Sequence, residues 1–81
     1  MIYLGIDYHK QRSVATAVNE EGKVIQRHKI DHLNMKEDLL KIKNTYKDTE
    51  IKCVMESTMN WGIMYDNVWE IIGPCVLANP H

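Results

Sequence analysis

Residues 2–19, IYLGIDYHKQRSVATAVN, decide how this chain is read. In 2–7, Ile2, Leu4 and Ile6 alternate with Tyr3, Gly5 and Asp7. The alternation predicts a strand, and apolar residues on both faces predict a central strand covered on two sides. The polar stretch His9 to Arg12 then turns the chain. In 13–19, Val14, Thr16 and Val18 share one face of a second strand, and Ser13, Ala15 and Ala17 share the other. Side chains that small admit a helix packed close.

Glu20-Glu21-Gly22 reads as a short hairpin connection with Gly22 free to take a positive φ. Residues 23–30, KVIQRHKI, follow as a polar third strand suited to a sheet edge. Asn34 is placed as a helix N-cap, with Glu37 completing an arrangement like a capping box. Met35, Leu39, Ile42 and Tyr46 form one apolar helical stripe, and Lys36, Lys41, Lys43 and Lys47 fall outside it on a solvated face. Residues 51–56, IKCVME, form a fourth strand. A second helix over 60–72 buries Trp61, Met64, Tyr65, Val68, Ile71 and Ile72, and Gly73-Pro74 stops it. Residues 75–78, CVLA, close the pattern as a short strand expected to be buried.

The length of 81 residues bounds the chain to one small domain with a thin stability margin. A hydrophobic share of 44% and a charged share of 26% are those of an ordinary globular domain. The net charge of −1 argues against a stand-alone module that binds DNA through overall charge. It leaves room for an acidic site that cations neutralise. Cys53 and Cys75 sit in apolar runs and read as small buried hydrophobes, with no CxxC pair and no disulfide framework. No apolar run is long enough for a membrane span and no signal peptide is visible, which points to a reducing cytoplasm.

Three antiparallel strands followed by helix, strand, helix and strand (β1-β2-β3-α-β4-α-β5 along the chain) is the order of the α/β, ribonuclease H-like fold with a mixed five-stranded sheet. The right-handed crossover rule places the fourth and fifth strands beside the first, all parallel. The competing reading is a generic α/β sandwich with another strand order.

That topology concentrates the chemistry on two acids. Asp7 ends the first strand and Glu56 ends the fourth, and sites in parallel sheets form at the carboxyl ends of strands. Neighbouring strands lie about 4.8 Å apart. The two carboxylates are therefore placed to share one Mg²⁺ or Mn²⁺, or to serve a pair of ions, for phosphodiester chemistry. Each acid also follows a buried run, where an unpaired charge is costly. Set against this, Asp7 merely begins a turn and Glu56 merely approaches a helix. His9, two residues past Asp7, is an auxiliary candidate as a third ligand or water-orienting group, with a plain turn histidine as the alternative. Lys10 and Arg12 are placed to meet a phosphate, or are a solvated turn. Ser57 and Thr58 read as caps of the second helix, Trp61 as core, and His28 and His32 show no ligand spacing.

GIDYHK (5–10), EEGKVI (20–25), VMEST (54–58) followed by Trp61, and VLANPH (76–81) together resemble the N-terminal RuvC-like domain of the DEDD-type insertion-sequence transposases, the group that includes the Piv DNA invertases. The resemblance spans nearly the whole chain. It implies a Mg²⁺-dependent recombinase that cleaves and transfers DNA strands during transposition, with Asp7 and Glu56 as the first two of four metal-holding acids. It further implies DNA as partner and a structured guide RNA for the parent protein; a homo-oligomer is a separate candidate assembly. The third and fourth acids of that family lie in a "KTD..DA" stretch beyond "NPH", and this chain ends at His81, so residues 1–81 alone are expected to be inactive. Met59-Asn60 stand where the family often carries a glycine, which alters the loop after Glu56. Two other classes compete: a non-catalytic dimerisation or docking module, including the remnant of a decayed element, and an actin-like ATPase. The ATPase needs glycine soon after its first acid, where this chain has Tyr8-His9-Lys10.

Overall fold

The computed structural model describes residues 1–56 and 62–78. Five strands form one mixed sheet: β1 (Ile2–Asp7), β2 (Arg12–Val18), β3 (Val24–Asp31), β4 (Ile51–Glu56) and β5 (Cys75–Ala78). A 3₁₀ turn (His32–Asn34) leads from β3 into α1 (Met35–Thr45), and α2 (Gly62–Ile71) joins β4 to β5. The class is therefore α/β, with the elements in the expected chain order. Across the sheet the order is β3-β2-β1-β4-β5. β1 pairs antiparallel with β2 and parallel with β4. β5 lies beside β4, not beside β1 as expected, and so forms an edge.

The two helices pack on each other, α1 against β3 and α2 against β5. Beneath them lies the core: Ile2, Leu4 and Ile6 of β1, Ala15 and Ala17 of β2, Ile30 of β3, and Cys53 and Met55 of β4. Leu39, Ile42 and Tyr46 descend from α1, and Met64 and Val68 from α2. The small residues of β2 serve as expected, since Ser13, Ala15 and Ala17 are fully buried. Gly22 takes φ 84° in the β2–β3 hairpin and Gly73 takes φ 134° after α2, both in the region that side chains disfavour.

Three further expectations are corrected. The alternate face of β1 is not covered among the described residues: Tyr3 and, on the same face of β4, Val54 are 43% and 45% exposed. β5 is not buried throughout, because its edge position leaves Val76 65% exposed. Finally, Asn34 precedes α1 but makes no side-chain cap. Its place is taken by two acids: Asp31 Oδ1 accepts from the Leu33 amide at 2.9 Å, and Asp38 Oδ2 accepts from the Asp31 amide at 2.8 Å. Carboxylates at a helix start also suit its positive dipole end. The positions assigned to Ser57, Thr58 and Trp61 lie outside the described residues.

His28 faces α1, with Nε2 2.6 Å from the Tyr46 hydroxyl and the rings edge to face. Burial holds the His28 pKa below its ordinary value. The unfolded chain therefore takes up more protons here as the medium acidifies. The contribution of His28 to stability is complete above its unfolded value near 6.5 and is lost as pH falls through the lower folded value. Urea midpoints should decline between pH 7.5 and pH 5, and less steeply in His28→Gln. Equal slopes for the two proteins would remove His28 as the cause.

Candidate functional site

The β1–β4 register ends at Ile6 opposite Met55, so the next residues, Asp7 and Glu56, lie side by side at the carboxyl ends of two parallel strands. Ile6 and Met55 are buried under the helices, which turns Asp7 and Glu56 to the other face of the sheet. Together with Gly5, Thr16 and Val54 they line an open depression of about 450 Å³. Gly5 leaves its floor bare: a Cβ added there would meet no atom within 4 Å. The pairing that topology predicted is thus present.

Neither acid is buried, contrary to expectation. The Asp7 side chain is 68% exposed and Glu56 is exposed, so neither charge pays a desolvation cost. Adjacency on one face remains as the signal. His9 Nε2 lies 3.1 Å from Asp7 Oδ2, an exposed contact that orients one carboxylate oxygen. Among the described residues no group of three or more His, Cys, Asp or Glu side chains is placed to hold a metal ion.

The donor chemistry fits a hard divalent cation. Mg²⁺ is commonly bound through one or two carboxylates, with water and substrate phosphates filling the remaining positions. Two oxygen-donor side chains on an open, solvent-reached surface match that pattern.

Further groups were not legible as a cluster. Ser13, buried under the helices, has its Oγ 2.9 Å from His32 Nε2, and the His32 ring stacks on Tyr8 at 4.9 Å. The partners are 19 residues apart, and only the register of β2 with β3, Ser13 opposite Ile30, brings them close. Beside them Lys10, Arg12 and Lys29 open onto a concavity of about 820 Å³. In the core, Cys53 and Cys75 are opposite each other on β4 and β5 with sulfurs 3.3 Å apart. The hydrogen bond with Cys75 and burial both push the Cys53 thiol pKa up, so it stays a neutral, unreactive thiol. No helix of the described residues is long and apolar enough to cross a membrane.

Compared with protein-family models and with curated proteins, the chain matches none.

Proposed function

We propose that the chain is the ribonuclease H-like, RuvC-type N-terminal part of a DEDD-type transposase, contributing half of a divalent-metal site for DNA strand cleavage and transfer. The observation that carries this reading is the side-by-side placement of Asp7 and Glu56 on the open face, at the ends of adjacent parallel strands. The sheet order supports it: a three-stranded antiparallel unit continued by two parallel strands through helices. So do the family-like segments GIDYHK, EEGKVI and VMEST.

In this reading the carboxylate oxygens of Asp7 and Glu56 hold Mg²⁺ or Mn²⁺, which when bound supplies Lewis acidity toward a phosphodiester. His9 fixes the orientation of Asp7 Oδ2. Gly5 keeps the approach to both acids open. Asp7 and Glu56 stand for two of the four acids that the family uses.

Mn²⁺ binding, followed by the relaxation of solvent water protons, tests the pair directly. Binding should be measurable in the unaltered chain and lost in Asp7→Asn and in Glu56→Gln, while far-UV circular dichroism stays unchanged because both side chains are exposed. Mn²⁺ binding that persists in both variants overturns the assignment.

A further inference from the structure

The metal site leaves unexplained a set of cations on the same face of the sheet. Ser13 and Ile30 are buried under the helices, so their neighbours Arg12 and Lys29 project to the open side. Lys29 is opposite Val14, and Val14 is opposite Asp7. Lys29, Val14, Asp7 and Glu56 thus form one row across four strands. Lys10, Arg12 and Lys29 line the 820 Å³ concavity with the half-buried His32 as its wall.

None of these three cations has an ion-pair partner among the described residues. The ion pairs there are Met1–Glu20, His9–Asp7 and Lys41–Asp38. Asp31, which faces Arg12 across the β2–β3 ladder, also lines the concavity and accepts from the Leu33 amide through Oδ1, so three cations there stand against one carboxylate. The His32 ring is fixed by Ser13 and Tyr8, which gives the concavity a rigid wall. A chain of net charge −1 therefore gathers an excess of positive charge at one concave place. Arg12 brings a guanidinium fork suited to phosphate oxygens, and the lysines bring point charges.

We propose that this concavity binds the phosphodiester backbone of the nucleic-acid strand whose reacting phosphate lies at Asp7 and Glu56; the inference rests on the metal-site reading for that second position. Two strand spacings, about 10 Å, separate Lys29 from Asp7 along the row. At a rise of about 3.4 Å per nucleotide, that is the reach of about three nucleotides. Lys10, Arg12 and Lys29 hold the strand electrostatically, without reading its sequence.

The experiment is fluorescence anisotropy of labelled single-stranded DNA, and of RNA of the same sequence, with the full chain in EDTA. Either strand should bind with an affinity that falls as salt rises. Comparable affinities assign the surface to the shared backbone, and a preference names the strand it takes. The double variant Arg12→Ala/Lys29→Ala should bind roughly tenfold more weakly. Its log–log salt slope should shrink by about 1.4, the loss of two single-strand phosphate contacts at about 0.7 each. Lys41→Ala/Lys47→Ala, exposed on the last turns of α1 and just after it and absent from the concavity's lining, should bind as the unaltered chain does. Absence of binding, equal binding by the Arg12/Lys29 variant, or equal loss in the Lys41/Lys47 variant overturns the proposal. Asp7→Asn separates the two ideas. If Mn²⁺ binding ignores Asp7→Asn while DNA binding still falls with Arg12 and Lys29, the metal reading fails and the backbone-binding surface stands.

Discussion

Leu4→Ala is expected to lower the free energy of unfolding by about 2–5 kcal/mol, the range for truncating a fully buried leucine. Leu4 is 1% exposed, at the centre of the middle strand, opposite Ala17 on β2 and Cys53 on β4. All three are buried beneath the helices, so a cavity there has little freedom to collapse. The margin is small. At about 0.05–0.15 kcal/mol per residue, a chain of 81 residues holds roughly 4–12 kcal/mol in total. Near the lower figure, a cost at the upper end of that range leaves most molecules unfolded at room temperature. Tyr3→Ala, one residue earlier on the same strand, is the informative companion. Tyr3 points to the open face and is 43% exposed, so its loss should cost less than half as much in urea denaturation. Equal costs for the two variants would mean that the open face is packed in solution, contrary to the fold described.

Much of this architecture was legible because its signals are local. The alternation of Ile2, Leu4 and Ile6 with Tyr3, Gly5 and Asp7 gives β1 its limits, and Gly22 and Gly73 mark the places where the backbone takes positive φ. The joining of Asp7 to Glu56 was also within reach, because it follows from parallel pairing of two strands that end on acids. What escaped was whatever depends on an element elsewhere. Tyr3, Val54 and Val76 are apolar and so read as buried, but covering a sheet face takes a second layer, and both helices lie on the other side. Asp31 and Asp38 displaced Asn34 and Glu37 at the start of α1 because the 3₁₀ turn shifts where the free amides fall. Lys29 looked like routine edge-strand polarity. Its position beside Arg12, and in the row of Asp7, appears only once β2 and β3 are in register.

That row predicts a reversal of stability with metal. Two carboxylates at adjacent positions of neighbouring strands repel, and like charges so placed cost a few tenths to about 1 kcal/mol. Without divalent ions, Glu56→Gln should therefore melt slightly higher than the unaltered chain. It is a cleaner variant than Asp7→Asn, which also removes the His9 contact. With metal the ranking should invert. At a free concentration tenfold above the dissociation constant, a ligand of the folded state adds about 1.4 kcal/mol. For a domain of this size that raises the melting temperature by about 5–10 °C, and Glu56→Gln forfeits the gain. Thermal melts in EDTA, in Mg²⁺, and in KCl matched for ionic strength separate specific binding from screening, since screening alone relieves the repulsion without favouring either cation. Equal Mg²⁺ shifts in the two proteins would place the ion elsewhere on the chain. A lower melting temperature for Glu56→Gln in EDTA would show instead that the carboxylate stabilises the fold by itself, as a structural residue does. The inversion is what a site held for function predicts: two acids kept together at some cost to the free protein, which a bound cation relieves.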